Sequence, residues 1–251
     1  MVVERLLKFN GGAGSITVSR AKRDNEDGKA MAQARKKQDT RQRTDTRDRI
    51  LDAAEELFAR KGFDGVSVRQ IMAKADADVS LAYYHFKSKR DLFDNVMLRR
   101  AEILNDIRLK ALEAVEERHP DDAPTVEEII DAFTHPLLDL LAREHEEWAH
   151  YFQLVAQINN SFEWGGELMT RYFDPLVRRF LEALRRALPD CDERDLYWSY
   201  HFLSGALTLT FAETGRIDNL SGGVVHSRDM DSINERMPRF LAAGFERLCR
   251  K

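Results

Sequence analysis

Apolar residues recur at every third or fourth position along most of the chain, the spacing that places them on one face of an α-helix. The first helix predicted in this way ends at Gly62, a residue that commonly terminates helices. This helix is predicted over residues 45–61, and the apolar residues on its inner face are Ile50, Ala53, Ala54, Leu57 and Phe58. Since no stretch alternates between apolar and polar residues as a half-buried strand does, the sequence predicts an all-α chain of about nine helices.

Residues that cap helix N-termini set most of the predicted boundaries. Ser67 with Gln70 and Thr125 with Glu128 have the spacing of a capping box, in which each side chain bonds the backbone N–H of the other residue. Further caps are predicted at Asp78, at Ser88, and at Ser232 with Glu235. The helices after residue 61 are then a short one following Ser67, 79–85, 89–117, 125–141, 146–160, one ending at 188, 192–213 and 232–248.

Two of the predicted helices are short and are separated only by Asp76, Ala77 and Asp78. Aspartate favours turns and caps over helix interiors, so this triplet predicts a tight turn. The second short helix ends in the sequence Tyr-Tyr-His-Phe at residues 83–86. Two short helices joined in this way indicate a helix-turn-helix, whose second helix lies in the major groove of DNA.

Residues 49–92 resemble the DNA-binding domain of the TetR family of repressors. The match needs no gap and covers about a fifth of the chain. Three positions depart from it, because Asp76, Ala77 and Asp78 stand where the family usually has Gly, Val, and Ser or Thr. The matching residues are Ile50, Leu51, Ala53, Ala54, Leu57, Phe58, Gly62, Phe63, Ser67, Val68, Ile71, Tyr83, Tyr84, His85, Phe86, Ser88, Lys89, Leu92 and Phe93.

The chain is expected to have three parts, the first from its polar composition and the other two from the resemblance. Residues 1–44 are predicted to be a disordered basic extension or arm, residues 45–93 the helix-turn-helix DNA-binding domain, and residues 94–251 an α-helical domain that binds an effector and dimerises. Residues 164–223 also resemble the C-terminal domain of a TetR branch that includes fatty-acid-responsive repressors. Two alternatives stay open for residues 1–30: they are a native segment, or they are an upstream extension that results from a wrongly chosen start codon, with Met31 as the start.

Charge is divided unevenly along the chain. Residues 31–89 contain thirteen Lys and Arg against nine Asp and Glu, although the whole chain has a net charge of −4. A basic N-terminal part on an acidic remainder suits DNA binding at one end of the molecule. The predicted DNA-binding residues are Arg43, Arg47, Ser67, Arg69, Val79, Ser80, Leu81, Tyr83, Tyr84, His85 and Lys89.

Among these, the first turn of the second short helix is expected to meet base edges. Leu81 suits a thymine methyl group, and Arg69 can bind a guanine. Tyr83, His85 and Lys89 are expected to hold phosphates, as the family resemblance implies. A basic arm can also lie along phosphates or in a minor groove, although a plain solvated tail explains the same residues equally well.

Large apolar side chains crowd the second half of the chain. They are expected to form core and, in part, to line a cavity for a small acyl or aromatic effector. The predicted lining residues are Met97, Phe133, Trp148, Phe152, Phe162, Trp164, Phe173 and Phe202. Arg171, Arg143 and His201 are equivalent candidates for a polar anchor, and Gly165, Gly166 and Pro175 are expected to loosen the packing.

The last two long helices are predicted to form a four-helix bundle with the same helices of a second copy. The predicted dimerisation residues are Tyr200, Leu203, Leu207, Phe240, Leu241 and Phe245. The expected partners are therefore an operator in double-stranded DNA, a small-molecule effector and a second copy of the chain. Packing of both helices inside one subunit is the alternative.

Other chemistry is not supported by the sequence. His145 and His150 are five residues apart, whereas two zinc ligands on one helix face are four apart. Cys191 and Cys249 have no metal-type spacing and are expected to be two structural thiols in a reduced cytoplasmic protein. No catalytic residue, metal, cofactor or membrane span is predicted. The predicted function is a ligand-responsive, homodimeric repressor; a helical protein-binding module and a small-molecule enzyme are the alternatives.

Overall fold

The computed structural model of the protein describes residues 45–161 and 165–249. The predicted basic extension at residues 1–44, including Arg43, lies outside these ranges, as do Phe162 and Trp164. Within them every regular element is an α-helix, which confirms the prediction of an all-α fold. From Ile50 onwards the described residues form one compact unit.

Ten helices follow one another in the described ranges. The first five are α1 at residues 45–61, α2 Val68–Lys74, α3 Val79–His85, α4 Lys89–Glu117 and α5 Val126–Arg143. The remaining five are α6 His145–Asn159, α7 Gly165–Ala187, α8 Glu193–Phe211, α9 Arg216–Leu220 and α10 Met230–Cys249. None of these helices combines the length and the apolar composition that crossing a bilayer would need.

The helices begin where their capping residues satisfy the first free N–H groups. At α2 the Ser67 Oγ accepts the Gln70 N–H at 3.2 Å, and Gln70 Oε1 accepts the Ser67 N–H at 2.8 Å. Glu128 does the same for Thr125 at α5. A hydrogen bond with His119, followed by those from Thr125, lowers the pKa of Glu128 to about 2. The predicted caps are confirmed at Ser67, Asp78, Ser88 and Thr125.

The C-terminal part departs from the prediction in two places. The last helix begins at Met230 rather than after Ser232, because Asp229 Oδ1 accepts the Ser232 N–H at 3.0 Å and acts as the cap. The short helix α9 was not predicted, since its five residues are too few to show a periodicity. Pro136 and Pro175 both lie inside helices that continue past them.

The two cysteines are not the free thiols that the sequence predicted. Cys191 and Cys249 form a disulfide, with their Cα atoms 4.4 Å apart. Cys191 lies between α7 and α8, whereas Cys249 ends α10, so the disulfide joins positions separated by 58 residues. The expectation of reduced thiols was therefore wrong for this pair, because their proximity depends on how α10 packs and not on their spacing.

Helix α4 connects the two ends of the molecule. Its first turns pack Phe93 against Phe58 and Phe63, with ring centroids 5.1 and 5.2 Å apart, and so close the core beneath α1 to α3. Further along, Leu104 and Leu112 are buried in contact with the C-terminal helices. Helix α4 therefore contacts both the first three helices and the C-terminal helices.

Candidate functional sites

The turn between α2 and α3 has the geometry of a helix-turn-helix. Asp76 has a backbone φ of 48°, the left-handed conformation that glycine adopts most readily and that Asp tolerates better than most residues. Asp78 then caps α3, with its Oδ1 accepting the Ser80 N–H at 2.8 Å. The hydrogen bonds from Ser80 lower the pKa of Asp78, which keeps this carboxylate charged near neutral pH.

Helix α3 presents an outward face of large side chains. Tyr83 is 70% and Tyr84 is 63% exposed, while Ala82 and Phe86 are buried beneath them. Val79 and Ser80 are exposed on the first turn of α3, and Arg69 is exposed on α2. Because the exposed side of the second helix in a helix-turn-helix is the side that enters the major groove, this face is the candidate nucleic-acid interface.

The other predicted DNA-binding residues are engaged to different degrees. Leu81 is half-buried against the core, so less of it is available to a base than the sequence suggested. Lys89 places its Nζ 4.2 Å from the centre of the Phe63 ring. Ser67 uses its hydroxyl to cap α2, and His85 contacts the Tyr84 ring at 4.9 Å. Arg47 lies in α1 and is half-buried.

Replacing Asp78 separates its role as a cap from its charge. Asp78→Ser keeps a capping hydroxyl but removes a carboxylate near the expected DNA phosphates, so we expect roughly two- to fivefold tighter DNA binding at unchanged stability. Asp78→Ala loses the cap and should lower the Tm by about 2–4 °C and weaken DNA binding. Calorimetric melting and a gel-shift titration measure both effects. Equal DNA affinity of the Ser variant and the unsubstituted protein would contradict the role given to the charge.

A second candidate site is a cavity of about 60 Å³ among α4 to α8. Its wall is mainly apolar, and Phe152 packs against Phe211 with ring centroids 4.5 Å apart. Polar groups lie in one part of the wall, where the Asn159 amide donates to the hydroxyls of Ser204 and Thr208. The lining residues are Leu104, Arg108, Phe133, Leu137, Phe152, Val155, Asn159, Met169, Phe173, Val177, Tyr200, Ser204, Leu207, Thr208 and Phe211.

The structure brings only part of the predicted lining set to this cavity. Phe133, Phe152 and Phe173 line it. Met97 and Trp148 are buried elsewhere, and Trp148 faces the guanidinium of Arg100, 4.5 Å from its ring centre. The helical period explains why these residues diverge from the cavity, since the sequence shows which residues are apolar but not which neighbour each one meets.

Phe202 was expected to line the cavity and does not. It is 56% exposed and stacks on Trp198 with ring centroids 6.0 Å apart. The cavity-facing residues of α8 include Tyr200, Ser204 and Leu207, and a position two residues along from Tyr200 points to the opposite side of the helix. Phe202 therefore belongs to an outer face of α8.

None of the three predicted polar anchors lines the cavity. Arg171 is bonded to Asp94 and Arg143 to Asp139 on the surface, and His201 is exposed. The cation that does line it is Arg108 of α4, which is 5% exposed. Its position four residues after Leu104, on the apolar face of α4, was a signal in the sequence that the prediction missed.

The expected dimerisation residues are mostly buried within the subunit. Leu203, Leu207, Leu241 and Phe245 are each at most 6% exposed, and the half-buried Tyr200 lines the cavity. These leucine and phenylalanine residues are core residues of the subunit, so little of their surface is left for a second copy. Of the predicted set, Phe240, which is 77% exposed, lies fully on the surface.

The exposed apolar residues of α8 and α10 lie on a different face. On α8 they recur at the helical spacing of Trp198, Phe202 and Leu209, with Gly205 between them. On α10 the corresponding residues are Phe240, Gly244 and Leu248. We call these seven positions the α8/α10 apolar stripe.

Comparison with known proteins identifies the family. The model of bacterial regulatory proteins of the tetR family matches residues 50–96, and the model of the tetracyclin repressor-like C-terminal domain matches residues 131–244. Together they cover well over half of the chain. The protein belongs to the TetR family. Members of this family are transcriptional regulators and not enzymes.

Individual relatives of this TetR-family regulator are similar mainly over its first helices. The HTH-type transcriptional repressor NicS of Pseudomonas putida is 42% identical over 52 residues, which are 21% of this chain and 24% of NicS. The negative regulator IcaR of the Staphylococcus aureus biofilm operon is 33% identical over 61 residues, which are 24% of this chain and 33% of IcaR. The match thus spans a third or less of each relative.

The fold as a whole is similar to solved TetR-type regulators. The structure of FadR from Bacillus subtilis, solved in complex with stearoyl-CoA, aligns with a TM-score of 0.50 at 17% identity. The alignment covers 78% of this chain and 97% of that one. At this identity the likeness shows the shared fold alone.

Proposed function

We propose that this TetR-family protein is a cytoplasmic repressor that binds a palindromic operator as a homodimer and releases it when a small apolar effector occupies the cavity. Residues 45–93 read the DNA in this proposal, and residues 94–251 bind the effector and dimerise. The repressors NicS and IcaR, which share its first helices, support the sign of regulation.

The observation that carries the proposal is the outward face of α3. Tyr83 and Tyr84 are exposed on it, and Val79 and Ser80 begin the helix where base edges would lie. Arg69 of α2 is exposed and can present its fork to a guanine. The opposite side of this seven-residue helix is core, so the exposed side is the one that can meet DNA.

The effector response is supported by the position of the cavity along α4. Leu104 of α4 lines the cavity, while Phe93 of the same helix packs beneath the helix-turn-helix. Ligand that favours one position of α4 therefore shifts the population of DNA-binding states. A tenfold loss of DNA affinity requires only about 1.4 kcal/mol of coupling, and by linkage DNA weakens effector binding by the same factor.

The homodimer is supported by the α8/α10 apolar stripe. Its five side chains are each between 44% and 77% exposed in the described part of the subunit, and a two-fold axis would let the stripe cover itself. Two copies related in this way would present two α3 helices about 34–36 Å apart, or a multiple of that, to successive major grooves. A palindromic operator follows from this symmetry.

Footprinting of the purified protein on the DNA upstream of its own gene tests the proposal. We expect a two-fold symmetric protected site. Tyr83→Ala should weaken binding to all sequences alike, whereas Arg69→Ala should cost about 1–3 kcal/mol and relax the preference at one base pair. The control is Lys110→Ala, which also removes one positive charge. Lys110 lies about 30 Å along α4 from the start of that helix, so we expect its replacement to leave DNA affinity unchanged. Unchanged DNA affinity in both Tyr83→Ala and Arg69→Ala would contradict the assignment of this face to DNA binding.

A further inference from the structure

Arg108 is buried in the wall of the cavity without a charged partner. It is 5% exposed, and no described carboxylate forms an ion pair with it. Its Nε donates to the Leu104 carbonyl oxygen at 3.1 Å, and its Nη2 donates to Asn105 Oδ1 at 2.9 Å. Both acceptors are neutral and lie on the preceding turn of α4.

The other buried arginine among the described residues, Arg100, has charged partners. Arg100 lies two turns earlier on α4 and is bonded to the carboxylates of Glu55 and Glu147, at 3.3 and 2.9 Å. A buried cation without such a partner destabilises the folded protein. The Arg108 guanidinium lies 4.9 Å from the centroid of the Phe133 ring and 5.8 Å from that of the Phe173 ring. These cation–π contacts offset only part of the cost of burying its charge.

The charge on Arg108 is retained under ordinary conditions. Burial lowers the pKa of Arg108 to about 10, so the guanidinium remains protonated at neutral pH. Tyr200 lies in the same wall, and burial raises the pKa of its phenol, which keeps it a neutral O–H donor. One end of an apolar cavity thus carries a cation and a hydroxyl donor.

We propose that Arg108 is the anion-binding residue of the effector site and that the effector is a compact apolar carboxylic acid. Its carboxylate binds the guanidinium fork, with Tyr200 beside it, and its hydrocarbon part packs among Phe133, Phe152 and Phe173. This inference rests on the proposed function, since it assigns a ligand class to the proposed effector site.

The single charge on the wall sets the class of acid. Arg108 is the one Lys or Arg among the described residues that line the cavity. One carboxylate carries one negative charge, which balances the positive charge of Arg108. A phosphate or a coenzyme A group would bring further negative charges, and no other Lys or Arg of the described lining could pair with them. A monocarboxylic acid therefore fits the charge, and its apolar body fits the rings.

The volume of the cavity limits the size of the acid and links binding to movement. A cavity of about 150 Å³ accepts benzene, and this one is about 60 Å³. An acid with a ring or a medium chain therefore enters only if lining side chains move. Since Arg108 and Leu104 belong to α4, the helix that holds the carboxylate is also the helix that reaches the DNA-binding head.

Calorimetric titration of the full chain with matched acids and amides tests the inference without DNA. We expect octanoate and phenylacetate to bind roughly 10- to 100-fold more tightly than octanamide and phenylacetamide. Arg108→Gln should abolish that preference, and Arg108→Lys should retain part of it. Arg171→Gln, a surface variant whose side chain is 62% exposed, should leave the preference unchanged.

A melting experiment excludes a purely structural role for this arginine. Without added acid, Arg108→Met should melt at the same temperature as the unsubstituted protein or higher, because it removes an uncompensated buried charge. With octanoate, only the unsubstituted protein should gain stability. A large loss of stability in Arg108→Met, or equal affinity for acids and amides, or no binding of either acid, would overturn the inference.

A separate gel-shift titration distinguishes this inference from the proposed function. Acid binding through Arg108 that leaves the protein–DNA complex intact would contradict the effector response and uphold the ligand class. Release of DNA by octanamide as readily as by octanoate would uphold the regulator and overturn the ligand class.

Discussion

With Glu in place of both Phe202 and Phe240, the protein is expected to be a monomer that no longer binds its operator at micromolar concentration. Both rings are more than half exposed, so neither substitution disturbs the subunit core. In a dimer that joins the α8/α10 apolar stripe to its symmetry mate, each new carboxylate would be buried without a partner. Such a charge costs about 3 kcal/mol or more, which weakens association by roughly a hundredfold for each one.

Analytical ultracentrifugation of the double variant measures the loss of the dimer, and circular dichroism confirms that the subunit stays folded. Ile103→Glu is the matched control, because Ile103 is an exposed apolar residue of α4 that lies outside the stripe. Leu207→Glu should instead unfold the protein, since Leu207 is 5% exposed and lines the cavity. A folded dimer in the double variant would show that another surface joins the two copies.

Glu55→Gln is expected to lower the free energy of unfolding by about 3–5 kcal/mol. The Glu55 side chain is 5% exposed, and its Oε2 accepts from Arg99 at 3.0 Å and from Arg100 at 3.3 Å. Burial by itself disfavours the charge on Arg100, but Glu55 and Glu147 outweigh it, and the net pKa of Arg100 is raised. Removing the Glu55 charge leaves two guanidinium groups facing a neutral amide in a buried position.

Asp52→Asn is the matched control for this network. Asp52 also accepts from Arg99, at 2.8 Å, but its side chain is 62% exposed. Water screens that pair, so its loss should cost less than about 1 kcal/mol. Urea unfolding curves of both variants provide the comparison. If both variants lost similarly little free energy of unfolding, the charge of Glu55 would not be what joins helix α1 to helix α4.

The sequence by itself determined the local structure of this protein and the class of its DNA-binding head. The caps at Ser67, Asp78 and Thr125 were predictable because a capping hydrogen bond joins residues two or three positions apart. The helix-turn-helix was predictable for the same reason, since its turn and both helices lie within about twenty residues. Helical periodicity also showed which apolar residues share a face of each helix from α4 to α8.

Only the tertiary structure decided which partner each of these residues meets. Periodicity separates an apolar face from a polar one, but α8 has two apolar faces, so Leu207 and Phe202 could not be told apart until the neighbouring helices were in place. Cys191 and Cys249 are 58 residues apart, and packing of α10 brings them together. Arg108 looked like one more charge on a long helix. Its burial beside Phe133 and Phe173, with no carboxylate from the described neighbouring helices to meet it, depends on contacts between distant residues that spacing along the chain does not specify.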